Sequence, residues 1–232
     1  MTSLLRTRLR HPIVESNAII GRLMRSDRGS VMIEFVIIVP LMLLVLLGFT
    51  ELYMYMRAVS IVEHTAFVLA DSIGQMPQIL NDNSTSSVNN LGSLWSAAML
   101  LAAPNALSSQ GGVIVTSVCD KAATTCNPIT PCVPSAASPQ SLTAATPKIY
   151  WQATAPWNSS VMTTQVTSTS ILPSAWPFRT GDSAIIVEVF YSYTPFSMTS
   201  VFWKTAPGVQ TIYERVYART RSGQPLELCP AQ

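Results

Sequence analysis

The most unusual chemical placement in this chain is a carboxylate at the head of an oily run. In "RGSVMIEFVIIVPLMLLVLLGF", Arg28 to Phe49, Glu34 precedes a long series of apolar side chains. A carboxylate at the centre of a membrane helix costs roughly 2.5–3.5 kcal/mol on insertion scales. Gly29 and Ser30 stand just upstream. A cut between them would give Ser30 a free α-amino group, cationic near neutral pH with an ordinary pKa of about 7.7–8.0. Glu34 would become the fifth residue of the shortened chain, with Phe35 directly after it. An amine and a carboxylate desolvated together cost less than the two apart, within one chain or between neighbours. The plainer reading is an uncut anchor whose Glu34 reaches the membrane interface.

Other reactive side chains are sparse. Cys119, Cys126, Cys132 and Cys229 all follow the oily run. On its far side an oxidising compartment favours disulfides. Four cysteines allow three connectivities, and the sequence does not choose among them. Cys119 with Cys126 or Cys132 would close a local loop, leaving the remaining one to tether Cys229. Zinc is the rival, but the gaps do not match short C-x₂₋₄-C knuckles. The two histidines, His11 and His64, have no His or Cys three or four residues away. Walker loops, G-x-S-x-G, H-E-x-x-H and dinucleotide turns are missing. The expectation is therefore no enzyme, no metal and no cofactor.

Composition agrees with a membrane protein. Charged residues are 11% of the chain, against about 25% in ordinary soluble domains. The formal net charge is only +2. Arg6, Arg8, Arg10, Arg22, Arg25 and Arg28 all precede the oily run, opposed there by Glu15 and Asp27. This asymmetry is a topology signal that keeps the N-terminus cytoplasmic. No basic surface with interleaved aromatics follows, so no nucleic-acid partner is expected.

The elements that must hold Glu34 follow from periodicity. Val31 to Thr50 is about 20 residues, and as a helix it spans about 30 Å, a hydrocarbon core. Pro40 removes one backbone donor midway and predicts a kink. A cleaved secretory signal is a weaker fit, because its small-x-small site, Ala58-Val59-Ser60, lies too far beyond the apolar run. From Tyr55 to Met76, Val59, Val62, Ala66, Leu69 and Ile73 recur at three and four residues, an amphipathic helix stopped by Pro77. Ser93–Ala103 reads as a short helix closed by Pro104. "VIVTSVC", "KIYWQAT", Ala184–Tyr193 and Ile212–Arg219 read as strands, the last two as a pair. Arg215 and Arg219 share one strand face, read as solvated or, if functional, as a docking face for an acidic partner.

The stretch "RSDRGSVMIEFVIIVPLMLLVLLGFTELYMYMRAVS" resembles the TadE/TadG-like pseudopilin family of tight-adherence (type IVb) pilus assembly. "SAIIVEVFYSYTPF" and "IYERVYARTR" are similar to the Tyr-x-Tyr-x-Pro and Arg-rich ending of that family. The Ser/Thr/Pro-rich middle departs from shorter members. The resemblance implies a pilin-like α+β fold: a long N-terminal transmembrane and amphipathic helix, then a small antiparallel-sheet extracytoplasmic domain. It implies a cleaved basic leader at residues 1–29, a transmembrane helix at 30–55, an amphipathic extension at 56–76 and a periplasmic domain at 77–232. Gly29 and Ser30 would flank the bond cut by prepilin peptidase, and Glu34 and Phe35 would serve subunit assembly. N-methylation of Ser30 is a property of the wider family only. Implied partners are that peptidase, other pilin-like subunits, the inner-membrane assembly platform and membrane lipid. The implied location is the bacterial inner membrane, single-pass, with incorporation into the pilus. The alternative is an unprocessed, signal-anchored periplasmic binding or adhesion domain.

Overall fold

The computed structural model describes residues 27–123, 141–202 and 204–231. Its first element is one long helix, α1 (Asp27–Gly74). Then come β1 (Gln78–Asn81), α2 (Leu91–Leu101), α3 (Leu107–Gln110), β2 (Gly111–Asp120) and β3 (Pro147–Thr154). β4 (Ser183–Tyr193), a 3₁₀ turn (Ser200–Phe202), β5 (Gln210–Arg219) and β6 (Glu227–Pro230) complete the order. The chain is α+β, as its pattern predicts.

α1 has two halves of opposite character. From Val31 to Phe49 its side chains are almost all exposed, including Phe35, Val36, Leu41, Leu46 and Phe49. It is the one helix among the described residues long and apolar enough to cross a membrane, and none of its most apolar stretch is buried. The helix runs through Pro40 without a break. Beyond Thr50 the character changes. Ala58, Val62, Ala66, Leu69 and Ile73 are buried, as their spacing requires, and Val59 packs at the edge of the same core. Each Leu or Ile buried there contributes about 1.5–3 kcal/mol.

What buries them is a four-stranded sheet in the order β3-β2-β4-β5, antiparallel at every pairing. Its inner face supplies Val113, Val115, Ile185, Val187, Val189 and Tyr191. Alternation along β4 places Ala184, Ile186, Glu188 and Phe190 on the other face. That face is also dry: Val166, Ile171 and Phe178 cover Val118, Ala184 and Ile186, and Met162 covers Ile114 and Phe190. The long β3–β4 connection thus explains why β4 reads as a nearly continuous apolar run.

A second, two-stranded sheet pairs β1 with β6 in parallel, an element the sequence pattern does not announce. Trp151 Nε1 donates to the Leu226 carbonyl at 2.6 Å, and the Tyr150 hydroxyl donates to Glu227 at 2.5 Å. Arg221 pairs with Asp71 at 2.8 Å, and its backbone N–H donates to the Gly74 carbonyl. The C-terminal segment is therefore stitched both to the sheet and to the end of α1.

Candidate assembly surface and its junction with the sheet

Ser30 and Glu34 lie four residues apart on α1, so they share one face, a turn apart. The backbone is helical at Gly29 and Ser30. Glu34 and Phe35 are exposed, Phe35 at 64%. The structure thus sets Glu34 one turn beyond the Gly29–Ser30 bond and at the head of the apolar surface.

The other end of that surface is closed by a residue whose role the sequence pattern understates. Glu51 follows the oily run directly and is 3% exposed. Its Oε1 accepts from the Met198 N–H at 2.5 Å and the Thr199 N–H at 3.2 Å. The Thr199 hydroxyl donates to its Oε2. Glu51 therefore clamps the β4–β5 connection onto α1. Beside it the Tyr55 and Tyr193 rings approach at 5.7 Å. Burial first, and then the Glu51 charge, raise the pKa of the Tyr193 hydroxyl, keeping it neutral. One signal points to this role: Glu51 lies two turns before Ala58, in line with the buried stripe.

A second buried carboxylate, Glu188, sits on the outer face of β4 directly across from Arg215. Its Oε1 accepts from the Arg215 guanidinium at 3.1 Å, from the Tyr213 hydroxyl at 2.7 Å and from the Gln165 N–H at 3.0 Å. Thr164 donates to the other oxygen. Arg219 pairs with buried Asp182 at 2.9 Å. Both arginines pair with carboxylates of this chain, but only Arg215 is drawn inward, which corrects the solvated reading there; the Arg219 side chain is 45% exposed, as a solvated face requires. Burial and the hydrogen bond to Glu188 hold the Tyr213 hydroxyl well above its ordinary pKa. This network ties the β3–β4 cover to the sheet.

Cys119 at the end of β2 and Cys229 in β6 are buried and disulfide-bonded. Cys126 and Cys132 lie outside the described residues. Among the described residues no group of three His, Cys, Asp or Glu side chains is arranged to hold a metal ion.

Neither a curated protein nor a solved structure matches the chain. Residues 29–71 match the family model described as TadE-like protein. That stretch starts at Gly29 and ends within the part of α1 packed under the sheet, so its N-terminal segment is TadE-like and relates the chain to Tad pilus proteins.

Proposed function

We propose that this chain is a minor, pilin-like structural subunit of a tight-adherence (type IVb) pilus or a related secretion machine. It inserts with its arginine-rich end in the cytoplasm and its sheet domain in the periplasm. Prepilin peptidase removes residues 1–29, and the Ser30 amine pairs with Glu34 of its own or a neighbouring chain. Cys119 and Cys229, with Cys126 and Cys132, form disulfides in that oxidising compartment. The observation that carries the reading is the division of α1. One half is buried under a sheet, and the other is exposed, apolar and headed by a carboxylate. A plain anchor accounts for the oily half, and pairing with the Ser30 amine accounts for Glu34 as well.

The test is Glu34→Ala in the full chain, co-expressed with the peptidase and partner subunits. Membrane insertion is expected to stay intact or improve, because the substitution removes a charge that opposes insertion. Co-purification with the other pilin-like subunits is expected to fall sharply. Unchanged co-purification contradicts the assembly role and favours an unprocessed, anchored binding domain.

A further inference from the structure

The β4–β5 connection does not stay with the sheet. It folds back along α1, and Phe202 lines an apolar cleft of about 500 Å³ together with Ile37, Pro40, Leu41, Leu44 and Leu47. Those five residues belong to the oily half of the helix. Leu44 lies six residues before Thr50, about 9 Å deeper along the axis at 1.5 Å per residue. Val201 is 85% exposed and Phe202 68% exposed, and Met198 is also exposed. A soluble loop has no reason to expose them beside a membrane helix.

We propose that this connection is a second membrane-inserted element, a re-entrant tip whose Val201 and Phe202 contact lipid beside α1. The inference rests on the reading that α1 spans a bilayer. If Leu41 and Leu44 lie in hydrocarbon, Phe202 lies there with them.

Four backbone N–H groups of the tip are satisfied within the protein. Peptide groups in hydrocarbon must find partners within the protein. The Met198 and Thr199 N–H groups donate to Glu51. Ser200 N–H donates to the Phe196 carbonyl at 2.8 Å, and Phe202 N–H to the Thr199 carbonyl at 2.9 Å. The Ser200 hydroxyl donates to the Ser197 carbonyl at 3.1 Å. Phe196 has φ of 58°, a left-handed conformation that favours glycine. It reverses the chain at the entry to the tip, and the Glu51 clamp holds the turn against that strain. Lys204 is exposed just past the tip, where its ammonium can extend to lipid phosphates.

The test places a photocrosslinking benzoylphenylalanine at position 201 of the full chain in vesicles of phosphatidylethanolamine and phosphatidylglycerol. The same label at position 35 marks the membrane helix. At position 161, exposed on the outer cover of the sheet, it marks the water-facing domain. Lipid adducts at position 201 are expected near the level at position 35 and several-fold above that at position 161. Glu51→Ala is expected to lower the yield at position 201 while leaving position 35 unchanged. Adducts at 35 but only background at 201 overturn this inference and leave the anchor reading standing. Background at both overturns the two together. Adducts at 201 with protein rather than lipid also overturn it, identifying the tip as a subunit contact.

Discussion

Glu34, Glu51 and Glu188 meet three different environments. Glu34 is exposed at the head of a bilayer-length apolar surface, and on the proposed reading an amine at Ser30 balances its charge. Glu51 is enclosed by the N–H groups and hydroxyl of one loop. Removing it leaves buried donors without an acceptor. Glu51→Ala should therefore lower stability by about 1–3 kcal/mol, read from denaturant unfolding in detergent. Glu188 has an arginine, a tyrosine, a threonine and a backbone N–H. Arg215→Ala should cost about 3 kcal/mol, because it strands a fully buried charge. Replacing Glu188 and Arg215 together by apolar residues should cost less than Arg215→Ala alone. Glu214 gives a pH dependence. Burial, and then the neighbouring Glu63 charge, raise its carboxyl pKa. The folded state therefore holds that proton more tightly than the unfolded one. The resulting stabilisation is complete below the ordinary carboxylate pKa and is lost as pH rises through the raised value. Solvent screening limits the effect, so Glu214→Gln should gain about 0.5 kcal/mol at neutral pH and flatten this limb of the stability curve. His64 lines the same depression, so the scan should be repeated in a His64→Gln background.

At the scale of elements, α1 and the four-stranded sheet were legible because their periods are unambiguous. Val62, Ala66, Leu69 and Ile73 are helical by spacing and buried in fact. Val187, Val189 and Tyr191 alternate and share the inner face. The β1–β6 pair escaped notice because four residues beside a proline carry too little pattern, and because parallel partners so distant in sequence leave no local sign. The buried outer face escaped for a related reason. Its cover is an irregular Ser/Thr/Pro-rich segment whose Val166, Ile171 and Phe178 are spaced by no fixed period. The Glu51 clamp depends on a loop nearly 150 residues away, a juxtaposition that only the fold creates. Close packing between elements supplies a further prediction. A methyl group on Gly92 at the start of α2 would lie 2.1 Å from the Asn83 carbonyl oxygen, a backbone atom that cannot step aside. Gly92→Ala should destabilise the chain by about 1–3 kcal/mol in the same unfolding measurement.

Taken whole, the molecule is a folded domain fastened to half of a helix, with the other half left for lipid and neighbouring subunits. The stitching of the C-terminal segment to Gly74, Asp71 and β3 holds the sheet on its half. Bending or melting of the oily half at Pro40 would leave the sheet and its packed half of α1 in place and disturb only the contact with Phe202. The central claim is that Glu34 is retained because a newly exposed amine at Ser30 balances it. Intact-mass and N-terminal analysis of the chain, recovered from membranes with and without prepilin peptidase, tests this most directly. The account predicts loss of residues 1–29 and a chain beginning at Ser30 only when the peptidase is present. A chain that still begins at Met1 beside an active peptidase would contradict it.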